Sequence, residues 1–234
     1  TALSGPVIYD SLDNYDYHWF VPTATEYDCE PDQLNVYDGL FNQIGVDHGS
    51  VKEEYKRPYA YTSSEDLRNL DSFFYFVYEQ RQLDLRRSRY AVVAPLSHGS
   101  LRTMPYQLWL GIIAELSKAI PVIVVGQITE RMPQAGMSVG DFSSKLSALG
   151  NNVINTLGDT PLRIVMALIS KASSFVGLDS GLTYVAQAFN VKSVSIWGSH
   201  DPRVRIGYDS AMMSRAICHR QNCQSSPCFA FHGF

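Results

Sequence analysis

Residues 97–102 combine small hydroxyl side chains, glycine and a guanidinium directly after an apolar segment that predicts a strand. Ser97, Gly99 and Ser100 allow backbone N–H groups to approach an anion closely, and Arg102 offers a fork of donors that suits a phosphate. His98 lies among them and is either a further ligand contact or a solvated loop side chain. The pattern predicts a phosphate-binding loop, with an ordinary strand–helix turn as the alternative.

A second turn, at residues 179–181, joins a predicted strand directly to a predicted helix. The N–H groups of the first helical turn have no intrahelical acceptor, and the positive end of the helix dipole lies behind them. Ser180 and Thr183 add hydroxyl donors, while Asp179 and Gly181 complete the turn. The pattern predicts phosphate binding. Asp179 or Ser180 can also cap the helix, and the two roles are compatible.

Polar side chains follow two further predicted strands. Gln127 and Glu130 come after the strand near residue 124, where they can hydrogen-bond a ribose or a base, or belong to a polar surface loop. Arg203 and Arg205 follow the strand near residue 195. They can contact a diphosphate or an acidic acceptor, and a solvated turn is the alternative.

Three of the four cysteines lie close together near the end of the chain, at Cys218, Cys223 and Cys228, and His232 follows them. Three thiolates and an imidazole satisfy tetrahedral zinc, and thiolates also suit iron. The spacing leaves open a structural zinc or iron site, a disulfide, and free thiols. Cys29 can complete the metal site or the disulfide.

A scaffold that brings these segments together is predicted by the apolar pattern. From residue 90 onward short apolar strands alternate with amphipathic helices, which indicates an α/β fold with a Rossmann-like parallel sheet and helices on both faces. Ligands bind such sheets beyond the carboxyl ends of the strands. The predicted strands are Val7–Tyr9, Tyr90–Ala94, Pro121–Val125, Val153–Asn155, Ser174–Val176 and Ser193–Trp197. The predicted helices are Pro31–Ile44, 63–87, Tyr106–Lys118, Phe142–Leu149, Leu162–Lys171 and Thr183–Phe189.

The composition predicts a folded domain, because 45% of the 234 residues are hydrophobic and only 18% are charged. No apolar run is long enough to span a bilayer. Residues 1–50 carry nine acids and no Lys or Arg, whereas the rest carries 14 acids and 19 bases. This mildly basic body suits a small phosphorylated ligand and lacks the clustered basic face of a nucleic-acid binder. The start shows no signal-peptide pattern, so we expect a cytoplasmic location.

Several motifs in sequence order resemble those of the ADP-heptose:lipopolysaccharide heptosyltransferases, glycosyltransferase family 9. That family shows a similar succession, L-x-G-x-T-x-L, then G-x-D-S-G-x-x-H-x-A-x-A, then F-G-x-T-x-P. The corresponding segments here are Leu157–Leu162, Val176–Gly181, Ala186–Phe189 and Ser193–Pro202. The resemblance covers roughly residues 88–230 and implies the donor-binding half of a two-domain GT-B enzyme.

The resemblance implies that the loop at 97–102 and the turn at 179–181 hold the diphosphate of a nucleotide sugar. Arg102 lies near the place where the family often has a phosphate-binding lysine. The sequence departs from the family at Leu182, where proline is usual, and at Tyr184, where histidine is usual. Tyr184 can donate a hydrogen bond but cannot titrate near neutrality as histidine does, so proton transfer at that position is in doubt.

The first 87 residues depart further from the family pattern. Family members carry a first Rossmann-like domain with the acceptor site and a general-base carboxylate near its start. Here Asp10, Asp13 and Asp16 follow the predicted first strand, and one of them can act as a base, with surface acids as the alternative. We therefore expect a reduced or truncated acceptor domain at 1–87 and a nucleotide-sugar-binding domain with a cysteine-rich tail at 88–234.

The predicted activity is sugar transfer from a nucleotide diphosphate sugar to an unknown glycan or protein acceptor. No metal is required if Arg102 and the helix start at 180–183 stabilise the leaving group. A catalytically silent nucleotide-sugar-binding module and a GT-B-fold nucleotide-sugar epimerase are the alternatives. No nucleic-acid partner is expected.

Overall fold

The computed structural model describes residues 38, 41, 44–99, 102–130, 132, 134–198, 202–206 and 216–218. Within these residues six parallel strands form one sheet in the order β3-β2-β1-β4-β5-β6. The strands are β1 (Ala91–Ala94), β2 (Val122–Val124), β3 (Val153–Asn155), β4 (Ser174–Leu178), β5 (Ser193–Trp197) and β6 (Ala216–Cys218). This is the strand order of a Rossmann fold, and the predicted parallel α/β sheet is confirmed.

Six α-helices have both ends within the described residues, and five of them match predicted helices. They are α1 (Ser64–Arg81), α2 (Tyr106–Ser117), α3 (Val139–Ser147), α4 (Leu162–Lys171), α5 (Gly181–Ala188) and α6 (Pro202–Arg205). Short 3₁₀ turns cover His48–Ser50 and Glu53–Tyr55. The short helix α6 and the strand β6 were not predicted from the sequence.

Helices cover both faces of the sheet, as the apolar strands require. Successive side chains of β1 alternate between two cores: Val92 packs with residues of α1, α4 and α5, and Val93 packs with residues of α2 and α3. All four residues of β1 are buried, so the central strand reads as a continuous apolar run. On the second face the rings of Tyr106 and Phe142 stack with centroids 4.7 Å apart.

Helix α1 belongs to the core of the sheet. Its Leu70, Phe74 and Val77 are buried with the first face, because they recur on one side of the helix. The residues on either side of the proposed division at residue 87 therefore share one hydrophobic core within the described part of the chain.

Several predicted element boundaries are corrected by the structure. The helix predicted over 63–87 ends at Arg81, because Gln82 adopts a left-handed backbone with φ 55°. Helix α3 begins at Val139 rather than Phe142, because the Ser138 hydroxyl caps it by accepting from the Asp141 N–H. Helix α5 begins two residues earlier than predicted, at Gly181.

Other expectations lie outside the described residues. These are the strand at Val7–Tyr9, the carboxylates Asp10, Asp13 and Asp16, and most of the helix at Pro31–Ile44, of which Asp38 and Phe41 are helical. In the part of the chain that the structure describes, no helix has both the length and the apolar character needed to cross a membrane.

Candidate functional site

A crevice of about 690 Å³ opens beyond the carboxyl ends of β1 to β4, the edge of the sheet where a ligand is predicted to bind. The strand order reverses between β1 and β4, so the chain leaves these two neighbouring strands toward opposite faces and a gap remains between the loops. The crevice walls come from four strand–helix connections and two helix starts. The lining residues are Leu96, His98, Gly126, Gln127, Met132, Gly158, Asp159, Thr160, Pro161, Leu162, Val165, Ser180, Gly181, Leu182 and Val185.

The start of α5 forms one wall of the crevice. Ser180 occupies the N-cap position with an extended backbone, but its side chain makes no capping hydrogen bond. Its carbonyl accepts from the Thr183 N–H at 3.0 Å, which closes the first turn. Because no side chain caps the helix, the N–H groups of Gly181 and Leu182 and the Ser180 hydroxyl are available to an anion in the crevice.

Tight packing behind this wall fixes the direction of α5. The buried Thr183 hydroxyl donates to the Leu178 carbonyl at 2.5 Å, which ties the helix to the end of β4. A Cβ at Gly177 would lie 2.6 Å from the Phe175 ring, so only glycine fits at this point of the strand. The Thr183 hydroxyl is therefore used inside the fold and does not line the crevice.

The start of α4 forms another wall of the crevice. Its N-cap is Pro161, whose side chain has no hydrogen-bonding group, and the N–H groups of Ile164 and Val165 both donate to the Pro161 carbonyl at 3.0 Å. The connection from β3 turns at Gly158, which has φ +84°, a conformation that glycine adopts without strain. Two helix starts without side-chain caps thus line one crevice, which favours a negatively charged ligand.

Arg102 links the loop after β1 to the turn after β4. Its Nη1 donates to the Asp179 carbonyl at 3.2 Å, and its side chain is half-buried. Gly99 leaves room for the guanidinium, because a Cβ at this glycine would lie 2.9 Å from the Arg102 Nε. The guanidinium therefore lies next to the turn that leads into α5, where it adds positive charge.

The loop after β1 is held by its own hydrogen bonds. The buried Ser97 hydroxyl accepts from the Gly99 N–H at 3.3 Å. The Thr103 hydroxyl contacts the carbonyls of Ser97 at 3.2 Å and Gly99 at 2.9 Å. These contacts give the loop a fixed shape beside the crevice. The Ser97 side chain takes part in this loop and does not line the crevice.

The structure brings together some of the predicted binding residues and separates others. His98, Gln127, Ser180 and Gly181 lie on the crevice wall, whereas Ser97, Gly99, Arg102 and Asp179 do not line it. Glu130 is exposed and does not line the crevice, Thr183 is buried, and Tyr184 packs against Trp197 and Ile206. Ser100 lies outside the described residues.

The wall built by Gly158, Asp159, Thr160 and Pro161 was not predicted as part of the site. These residues follow β3, and ligands bind beyond the carboxyl ends of parallel strands, so their position in the sequence was one signal for the site. The family motif at Leu157–Leu162 was a second signal. The segment places the Asp159 carboxylate and the Thr160 hydroxyl on the wall, and neither belongs to the Ser, Gly and Arg pattern from which phosphate binding was predicted.

The predicted metal site cannot be placed on the described residues. Among these residues no group of three or more His, Cys, Asp or Glu side chains is arranged to hold a metal ion. Cys218 lies in β6, whereas Cys29, Cys223, Cys228 and His232 lie outside the described part of the chain. The zinc or iron site and the disulfide stay predictions.

The strand order, the crevice at the reversal point and the two uncapped helix starts define a Rossmann-like domain with an anion-favouring ligand site. Residues 140–232 match the sequence model of glycosyltransferase family 9 (heptosyltransferase). The resemblance to this family that the motifs indicated is thus confirmed.

Two solved glycosyltransferase structures share the fold. The glycosyl transferase family 9 protein from Veillonella parvula DSM 2008 has a TM-score of 0.58 at 14% identity, over 83% of this chain and 51% of that chain. The E. coli ADP-heptose lps heptosyltransferase II has a TM-score of 0.51 at 18% identity, over 80% of this chain and 54% of that chain. This chain therefore spans about half the length of each. No curated protein sequence matches it.

Proposed function

We propose that this chain is the donor-binding part of a heptosyltransferase-like glycosyltransferase, which transfers a sugar from a nucleoside diphosphate sugar to a glycan or protein acceptor. The observation that carries the proposal is the convergence of two uncapped helix starts, α4 and α5, on one crevice. Backbone N–H groups and helix dipoles at such a place favour a diphosphate. A cytoplasmic location is part of the proposal.

In the proposed reaction the bond between the sugar C1 and the diphosphate oxygen breaks while an acceptor hydroxyl attacks C1. The negative charge that develops on the departing diphosphate is stabilised by the first-turn N–H groups of α5, by the Ser180 hydroxyl and by the nearby Arg102 guanidinium. These groups are held in place before the reaction, since Arg102 is bonded to the Asp179 carbonyl. No step of this transfer requires a metal ion.

The remaining wall residues fit the rest of the donor. Gln127 and His98 supply side-chain donors and acceptors for the ribose, the base or the transferred sugar, and apolar side chains such as Met132 and Leu162 surround them. The proton of the attacking acceptor hydroxyl passes to a general base, for which Asp10 and Asp13 stay the candidates; both lie outside the described residues.

Calorimetric titration with ADP, GDP and UDP, each free and as a sugar conjugate, tests the proposal. At least one is expected to bind. Replacing Arg102 by glutamine removes a positive charge next to the crevice and the bond to the Asp179 carbonyl, and it is expected to weaken binding about two- to tenfold. Ser180→Ala is expected to weaken binding about two- to tenfold. Arg89→Gln, which changes an exposed arginine near the amino end of β1, is the matched control.

The outcomes separate the candidate functions. If no nucleoside diphosphate binds the folded chain, the proposal is wrong. If one binds but Arg102→Gln has no more effect than Arg89→Gln, the placement of the diphosphate is wrong. Release of the nucleoside diphosphate from a bound donor would support an enzyme over a silent binding module, and conversion of the donor to an epimer would support the epimerase alternative.

A further inference from the structure

A buried carboxylate outside the crevice contacts one of its walls. Asp66, in the first turn of α1, is 5% exposed. Its two oxygens accept from the Arg163 guanidinium, Oδ1 from Nε at 3.1 Å and Oδ2 from Nη2 at 2.5 Å. Such a bidentate pair fixes both the distance and the orientation of the two side chains. Arg163 lies in the first turn of α4, next to the wall residues Pro161 and Leu162.

The Asp66 carboxylate is itself held rigidly. Ser63 donates to Oδ2 from its backbone N–H at 2.7 Å and from its hydroxyl at 2.8 Å, and the Asp66 N–H donates back to the Ser63 hydroxyl at 3.1 Å. This capping box joins the start of α1 to the chain before it. The bond from the Ser63 N–H and then the Arg163 guanidinium lower the pKa of Asp66, so the carboxylate is charged at neutral pH.

The same arginine also contacts the chain that leads into α1. The Arg163 guanidinium carbon lies 5.5 Å from the centre of the Tyr61 ring, a distance at which cation and ring attract each other. Arg163 is thus held from two sides by residues 61–66. Helix α4 has no side-chain cap of its own at Pro161, so this contact is an external anchor for its first turn.

We propose that Asp66 and Arg163 are positioning residues, which hold the first turn of α4 in the orientation that binds the nucleotide. The inference rests on the proposed function, because it takes the α4 wall to contact that ligand. Asp66 lies outside residues 140–232, which match the family model. The proposal therefore gives α1, a helix from the preceding part of the chain, a role in the shape of the crevice. Neither side chain needs to touch the ligand.

Asp66→Asn and Arg163→Gln test this role, because each removes the charge pair with little change of shape. Glu65→Gln is the matched control, since Glu65 is an exposed acid in the same helical turn. Ile113→Val, in α2 on the other face of the sheet, controls for a loss of stability alone. The readouts are amide hydrogen exchange of residues 157–165 without ligand, the dissociation constant for ADP, and the melting temperature.

We expect exchange in 157–165 to speed up at least fivefold, and ADP binding to weaken about fivefold, in both test variants and in neither control. The double variant should be no worse than either single one, because both remove the same link. If Asp66→Asn and Arg163→Gln fold but exchange and affinity stay within twofold of the parent chain, the positioning role is wrong. If either fails to fold, Arg163→Lys, which keeps the charge but loses the bidentate geometry, takes its place under the same criteria.

The exchange measurement needs no ligand, so it tests the Asp66–Arg163 anchor independently of the proposed donor-binding function. Faster exchange without any binding of ADP by the parent chain would support the anchor, whereas the absence of binding to ADP, GDP and UDP would contradict the proposed function. Binding of ADP with unchanged exchange and affinity in the variants would contradict the anchor and leave the proposed function standing.

Discussion

Two glycines four residues apart on the β4–α5 connection should respond in opposite ways to the same substitution. Gly177 lies in β4, and a Cβ there would lie 2.6 and 2.7 Å from two carbons of the Phe175 ring and 3.3 Å from the Thr183 hydroxyl. Gly181 begins α5 on the crevice wall, and a Cβ there would meet no atom within 4 Å. Alanine at position 177 would strain the fold. Alanine at position 181 would add a methyl group to the crevice wall without a clash.

The size of each effect follows from these distances. Phe175 is fully buried and cannot move aside freely, so Gly177→Ala should cost about 1–3 kcal/mol, the usual range for overpacking a core. For a chain of this length, that lowers the melting temperature by about 2–12 °C. Gly181→Ala should leave stability unchanged or raise it by up to about 1 kcal/mol, because alanine restricts the unfolded chain.

Gly181→Ala should weaken ligand binding more than Gly177→Ala does, although it affects stability less. The methyl group of Gly181→Ala would stand between the first-turn N–H groups of α5 and a phosphate, and the loss of one such bond to a charged group corresponds to at least tenfold weaker binding, about 1.5–3 kcal/mol. Gly177→Ala, measured well below its melting temperature, should bind more nearly like the parent chain. Differential scanning fluorimetry and calorimetry with ADP give both numbers. A Gly181→Ala chain that is folded and binds ADP with unchanged affinity would refute the reasoning.

Two other substitutions test hydrogen bonds that the structure places inside the fold. Thr183→Val removes the bond to the Leu178 carbonyl, so urea unfolding should show a loss of about 1–2 kcal/mol with little change in ADP affinity. Burial raises the pKa of Tyr90, whose hydroxyl donates to the Leu168 carbonyl at 2.8 Å. The unfolded tyrosine ionises first, so the stability of the parent chain should fall as the pH rises above about 10, and Tyr90→Phe should flatten this fall at a cost of about 1 kcal/mol at pH 7. An equally steep alkaline fall in Tyr90→Phe would contradict this explanation.

Much of the sheet could be predicted because its strands are buried on both faces. An apolar run such as Ala91–Ala94 is visible without knowledge of its neighbours. Strand β6 was missed because three residues, Ala216–Cys218, become a strand only through pairing with β5, which the local sequence does not show. The early end of α1 was missed because Gln82, and not a glycine, adopts the left-handed conformation there.

The candidate site could be predicted only where it is built from polar side chains whose chemistry suits a ligand. Ser180 and His98 are recognisable as polar residues after strands, and both lie on the crevice wall. The direction of a side chain is set by packing, so the sequence did not reveal that the Thr183 hydroxyl points to the Leu178 carbonyl. The anchor between Asp66 and Arg163 joins residues almost a hundred positions apart and has no sequence motif.

The pairing of β1 with β4 has a consequence for folding. Val92 lies opposite Phe175, about 80 residues further along the chain, whereas β2 lies only about 30 residues from β1. Closing so long a loop loses more chain entropy and is expected to be a late step. The gap between the loops after β1 and β4 exists only once that pairing has formed. A folding chain should therefore gain its binding site late, and a ligand present during folding would stabilise only the nearly complete sheet.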